Sequence, residues 1–342
     1  MLTSENAFQH KLANRLTDIL IMKPKPSPHP LIRVGGNQDG AYLLPDDLQG
    51  VMACFSPGVN NTKRFEDDLA LNYKIICHLC DFSSDEDKLE TAIIEGLQTF
   101  KKKWLDVDHG EDSITLDEWV EEMSPNADDD LLLQMDIEGA EYRNLIDCKK
   151  STLSRFRIIV IELHDLDVAN DPDKFEAGLG PALRKLDETH VCVHAHPNNC
   201  CGDFIVKGST LVVPRVMELT FLRRDRFHQS GSGDCYLPLL PHPQDLTCNV
   251  DEMPPLVLEG EWIDERSLAS GSPMERTTWK KLSMVSKRLE LILEKESRAT
   301  EALQAEIEAA KARIAYLEGL LGELDRPIKT YLAIKRVLRS RK

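Results

Sequence analysis

A chain of 342 residues is long enough to bury one good-sized core and still leave material for an appendage. Its net charge of −16 excludes broad binding to a phosphate backbone, which needs a basic face, so nucleic acid is not expected as a partner. Nine irregularly spaced cysteines give no disulfide framework, the start Met1-Leu-Thr-Ser-Glu-Asn6 lacks the regions of a signal peptide, and no apolar run reaches ~18 residues, so a cytoplasmic location is expected.

Phe8, Leu12, Leu16, Ile19 and Leu20 recur at helical spacing, and the alternating prolines of Lys23-Pro-Lys-Pro-Ser-Pro-His-Pro30 then favour extended backbone. Residues 1–30 therefore read as a helical cap and a stiff connector. Beyond them strand and helix alternate: strand 51–56, helix 63–71, strand 74–80, helix 85–97, strand 99–105, strand 131–136, helix 141–149, strand 157–163 and helix 173–188. Strands 191–196 and 213–222 follow, joined only by a loop over 198–210. That order predicts an α/β domain over 31–227 with a mostly parallel sheet, right-handed crossovers and an antiparallel last strand.

Residues 228–273 are rich in Pro, Gly and Ser without sustained period and read as a linker. Within 274–325, apolar or small residues from Leu282 to Leu324 step by threes and fours with one stutter, interrupted only by Glu296. That seam predicts a C-terminal α-helical coiled coil and a homo-oligomer of open number. The tail 326–342 has seven basic side chains and no acid, with Ile328, Tyr331, Leu332, Val337 and Leu338 interspersed as on an interfacial helix. Peripheral contact with the inner face of a membrane and a frayed coiled-coil end are equally compatible with it.

The two apolar runs at 131–136 and 157–163 end abruptly in chemistry. Asp136 and Glu138 share parity beyond one, Glu162 and His164 beyond the other, and in an open α/β sheet the carboxyl ends of the strands form the ligand crevice. An enzyme is expected. Glu141 fits the opening of a helix, where its charge complements the dipole.

Ile114-Thr-Leu-Asp-Glu-Trp119, Met135-Asp-Ile-Glu-Gly-Ala-Glu141 and Val160-Ile-Glu-Leu-His164 resemble the FkbM-type family of class I S-adenosylmethionine-dependent methyltransferases, in the branch of the methyltransferase-like 24 proteins. Asp39-Gly-Ala-Tyr42, Cys54-Phe-Ser-Pro-Gly-Val-Asn60 and Phe65-Glu66 resemble its opening segment, and His194-Ala-His-Pro-Asn-Asn199 and Glu218-Leu-Thr-Phe221 its last two strands. The resemblance covers about 31–226. It implies a Rossmann-like seven-stranded sheet with an antiparallel last strand and a methyl donor, S-adenosyl-L-methionine, across the ends of the first strands.

Such a donor needs a close backbone turn after the first strand and a carboxylate after the second to accept ribose hydroxyls. Ser56, Gly58, Asn60 and Asp81 stand at those places, although a loop with one glycine is a weak nucleotide signal. Methyl transfer to a hydroxyl needs a base, for which Asp136, His164 and Glu138 are the candidates. Glu162, His194, His196 and Asn198 are expected to contact the acceptor, a sugar or glycoconjugate hydroxyl, although the last three lie two strand spacings, ~10 Å, from the strand of Glu162. A metal-free site is preferred, with a divalent ion on Asp136, Glu162 and His164 as the alternative. Cys54, Cys77 and Cys80 read as core thiols; Cys200 and Cys201 have no assigned role. The rival reading is a non-catalytic scaffold that keeps a methyltransferase-like domain beside its coiled coil.

Overall fold

The computed structural model describes residues 4–228, 235–246 and 248–263, together with the helical positions Gln304, Ile307, Lys311 and Arg313. Two units, Met1–Arg288 and Leu289–Lys342, divide the chain. Apart from those four positions, the heptad seam and the basic tail lie outside the described residues. No described helix is long and apolar enough to cross a membrane.

Helix α1 (Ser4–Ile19) continues as a 3-10 turn to Met22, burying Leu12, Ile19 and Met22, and Arg15 Nη1 ties it to the domain through Ala169 O (2.9 Å). A hairpin of β1 (Leu31–Val34) and β2 (Tyr42–Pro45) follows the prolines. Next come β3 (Val51–Pro57), α2 (Arg64–Asp68), a π-helical turn to Tyr73, β4 (Ile76–Cys80), β5 (Gln98–Lys101) and the short pair β6 (Trp104–Leu105) and β7 (Ser113–Ile114). Helix α3 (Leu116–Met123), β8 (Asp130–Met135), α4 (Glu141–Asp147), α5 (Lys150–Leu153), β9 (Phe156–Leu163), α6 (Pro172–Ala177), α7 (Leu179–Thr189), β10 (His190–Ile205) and β11 (Val212–Arg223) complete the domain.

The main sheet has seven strands in the order β10-β11-β9-β8-β3-β4-β5, parallel from β9 to β5, with β11 antiparallel to both neighbours. This is the mostly parallel sheet with an antiparallel last strand that the strand–helix alternation predicted, and the seven-stranded Rossmann-like arrangement that the family resemblance implied. One core face takes Leu12, Trp119, Leu145, Leu183 and Trp262; the other takes Val34, Tyr42, Phe65 and Leu69. On the second face β3, β8, β9 and β11 each turn polar at one level. Cys54, Leu132, Val160 and Leu222 are apolar core, whereas Ser56, Gln134, Glu162, Thr220 and Glu218 are their buried polar successors. The sheet thus delivers a polar floor to its crevice edge.

Several expectations need correction. Residues 85–97 form no α-helix, only a 3-10 turn at Glu86–Lys88. Tertiary acceptors capture their amides, Glu90 N donating to Asn61 O (2.8 Å) and Ile94 N to Gln98 Oε1 (3.0 Å), while Leu89 and Ile93 pack on the hairpin side of the core. Helix α3 was not anticipated, although Thr115 and Glu118 form a complete capping box in front of it. Strand β10 runs to Ile205, so Asn198 lies in a strand and not in a loop. The expected linker 228–273 is no free linker over its described part: Leu240, Leu256, Leu258 and Trp262 are buried, and Trp262 Nε1 donates to Val212 O (2.8 Å).

Candidate active site

A cavity of about 1240 Å³ opens at the carboxyl ends of β3, β4, β8 and β9. That exceeds the ~300–1,000 Å³ of a typical small-ligand pocket and leaves room for two molecules side by side. Gly58, Asn60, Asp81, Asp136, Glu138, Glu162, His164 and Asn198 all line it, as do Tyr42, Glu66, Gln134, Asn249, Cys200 and Cys201.

On the β3–β4 side, Gly58 has φ +85°, and a Cβ there would sit 1.6 Å from the carbonyl oxygen of Asp136. The loop has one obligatory glycine because the end of β8 presses on it. Asn60 also has positive φ, and its N–H donates to Asp81 Oδ2 (2.9 Å), while Ser83 N and Oγ donate to Asp81 Oδ1 (2.7 and 2.6 Å). Asp81 therefore organises this turn as well as lining the cavity. Ser56 differs from the expectation that it faces a donor: fully buried and absent from the cavity wall, it bonds to Glu66 and to Gln134 Oε1 (2.7 Å). Glu66 takes that place on the wall, and burial, opposed by the Ser56 hydrogen bond, raises its carboxyl to about 7.

On the β8–β9 side, Glu138 and Gly139 both adopt positive φ, a strained backbone for a glutamate. Glu141, fully buried, turns back to accept from Ile137 N (3.0 Å) and Gly139 N (3.0 Å) and from His164 Nδ1 (3.1 Å). A carboxylate only accepts, so the Nδ1 proton is fixed and Nε2 faces the cavity. From Nε2, Glu138 lies at 3.5 Å and Asp136 and Glu162 at 3.9 Å. Burial opposes a charged ring, but Glu141, Asp136 and Glu138 outweigh it and raise the His164 pKa. Asp136 Oδ1 is shielded from water with no hydrogen-bond partner, and burial, joined by Glu138, Glu141 and Glu218 against His164, raises its carboxyl to about 7.

The strand-parity argument thus brings Asp136, Glu138, Glu162 and His164 together. Asn198 also joins them, its Nδ2 donating to Glu162 Oε1 (2.8 Å) across the intervening β11. Two facing side chains span the backbone separation of about two strand spacings. His194 and His196 do not line the cavity. Asp245, in the segment expected as linker, meets His194 Nε2 at 2.9 Å and His196 Nδ1 at 3.8 Å, and Asn249 Oδ1 accepts from His196 Nε2 (3.1 Å). Burial disfavours charge on His196, yet Asp245 overcomes it and raises the ring to about 9; in return the two histidines hold buried Asp245 well below its usual range.

Sequence reasoning missed four contributors. Glu141 was visible but assigned to its helix, and Glu218, paired in register with both His196 and Glu162, was noted only as motif. Asp245 and Asn249 carried no local signal. The ligand atoms of Asp136, Glu138 and His164 lie within 4.8 Å of one another, a set compatible with a metal ion and different from the trio of Asp136, Glu162 and His164 that stood as the alternative to a metal-free site.

No curated protein matches the chain. Residues 56–180, from the end of β3 to the start of α7, match the family model described as the methyltransferase FkbM domain.

Proposed function

We propose that the protein is an S-adenosylmethionine-dependent O-methyltransferase acting on a sugar or glycoconjugate hydroxyl. The observation that carries this reading is the excess of carboxylates over cations around a cavity of two-ligand size, with Asp136, Glu138 and Glu162 sharing the single imidazole of His164. Among the cations on its wall, Arg143 is paired with Asp106, Arg64 with Glu90, and Lys103 donates to Ser113 O (3.1 Å). Asp136, Glu138, Glu162 and Glu66 outnumber the one imidazole, His164, that faces three of them, and the space they line suits a positively charged donor.

When bound, the donor supplies an activated methyl on a sulfonium, leaving the protein to orient the acceptor and take its proton. Gly58, Asn60 and Asp81 would hold the donor on the β3–β4 side. Nε2 of His164, kept free by Glu141, receives the hydroxyl proton, and Asp136, Glu138 and Glu162 stabilise the imidazolium that forms. Glu162 and Asn198 orient the sugar.

Small-molecule mass spectrometry on protein purified without added ligand tests the reading. Co-purified donor or its demethylated product is the expected result and removes the scaffold alternative. With a glycan acceptor, His164→Ala should leave donor binding near wild type and cut turnover by about a hundredfold, and Asp136→Asn should cut turnover to a similar degree. Full turnover in both variants would place the base elsewhere.

A second reading rests on the Asp136, Glu138 and His164 set, which would hold a divalent ion and lower the pKa of a bound hydroxyl. Activity lost to a chelator and restored by a divalent ion would favour it. The heptad seam supports a homo-oligomer, and the basic tail supports contact with anionic lipid. Light scattering on the full chain and on a chain ended near Ser270 tests the first, and salt-sensitive co-sedimentation with anionic vesicles tests the second.

A further inference from the structure

Neighbouring residues of a strand normally point to opposite faces, but Cys200 and Cys201 do not. The pairing of β10 with β11 slips between Asn198 and Asp203, and Gly202 takes φ +74° immediately beyond. Asn198 Oδ1 accepts from Cys200 N (3.0 Å), fixing the bend. The two sulfurs consequently lie 2.7 Å apart, closer than unbonded sulfurs rest, on the wall of the cavity that also holds Glu162 and His164. Cys200 is half-buried and Cys201 exposed.

We propose that Cys200 and Cys201 are a reversible two-electron oxidation site, closed to a vicinal disulfide by a hydroperoxide. The exposed Cys201 thiol attacks a peroxide oxygen, the O–O bond breaks, the thiol proton goes to the departing oxygen as water (an alcohol from an alkyl hydroperoxide), and Cys201 is left as a sulfenic acid. The Cys200 sulfur then attacks that sulfur, and its proton leaves with the hydroxyl as a second water. Two thiols lose two electrons and the peroxide gains them. Adjacent Cα atoms sit ~3.8 Å apart, short of the ~4.4–6.8 Å usual for a disulfide, so the ring is strained and readily reduced. Closing it replaces two polar thiols on the cavity wall by one compact ring beside Asn198.

The test treats the full-length protein with hydrogen peroxide and reads the tryptic peptide 186–207, which holds Cys192, Cys200 and Cys201. The expected product is lighter by two hydrogens, resists alkylation at both positions and reverts with dithiothreitol. It should persist in Cys192→Ser and vanish in Cys201→Ser. Alkylation of both thiols after peroxide, an intermolecular disulfide, or sulfinic acid on Cys201 with Cys200 still alkylatable would overturn the proposal. The readout is independent of methyl transfer, so it stands or falls apart from the proposed activity.

Discussion

Two aspartates bracket strand β8, and they live in opposite electrostatic worlds. Asp130, at the amino end, accepts from Arg157 Nε (3.0 Å) and Nη2 and from Arg223 Nη1 (2.6 Å). Burial alone would raise its carboxyl, but the two guanidiniums hold it below the usual range. Nearby, Arg226 binds Asp47 through two nitrogens (2.7 and 2.8 Å). Asp136, just past the carboxyl end, faces His164 and further carboxylates, and burial raises it to about 7. At one edge of the sheet charge is neutralised and structural. At the other it is left in excess, which costs stability and is available for a ligand.

The comparison breaks first at the amino end. Arg157→Ala removes one of the two guanidiniums on Asp130 and the donor to two backbone carbonyls, and should cost about 3–5 kcal/mol in urea unfolding. A loss below ~1 kcal/mol would mean that the amino-end pairs are ornamental. The next effect is pH-dependent. The His196 ring is raised to about 9 in the folded protein, above the ordinary ~6.5, so the stabilisation from its pairing with Asp245 is complete below pH ~6.5 and lost as pH rises towards 9. It amounts to about 3 kcal/mol, and His196→Gln should flatten the slope. Smallest is Glu162→Gln at pH 8: burial, Asp136 and Glu218 raise the Glu162 carboxyl well above its usual value, so removing the charge should leave stability unchanged or raise it by up to ~1 kcal/mol. A large loss there would contradict the view that this edge sacrifices stability for ligand binding.

The legible parts of the molecule were those written in local pattern. The apolar runs that became β3, β8 and β9, the antiparallel last strand, and the meeting of Asp136, Glu138, Glu162 and His164 all follow from periodicity and strand parity. What local pattern missed depends on distant partners. Residues 85–97 have helical spacing, but Asn61 and Gln98 take amides that a helix would need. Asp245 and Asn249 sit in a Pro-rich stretch with no period, and only the folded chain brings them onto His194 and His196. Gly58 read as a weak signal because the sequence does not reveal that Asp136 O lies against it.

The central proposal is that the carboxylate-rich edge receives a cationic methyl donor. Calorimetric titration of S-adenosylmethionine and of its uncharged-sulfur product S-adenosylhomocysteine, from pH 6 to 8, tests it most directly. Both should bind, and the preference for the sulfonium should fall as pH drops through ~7, where Asp136 and Glu66 take up protons and lose their charge. Failure of either compound to bind at any pH, or a preference indifferent to pH, would contradict the account.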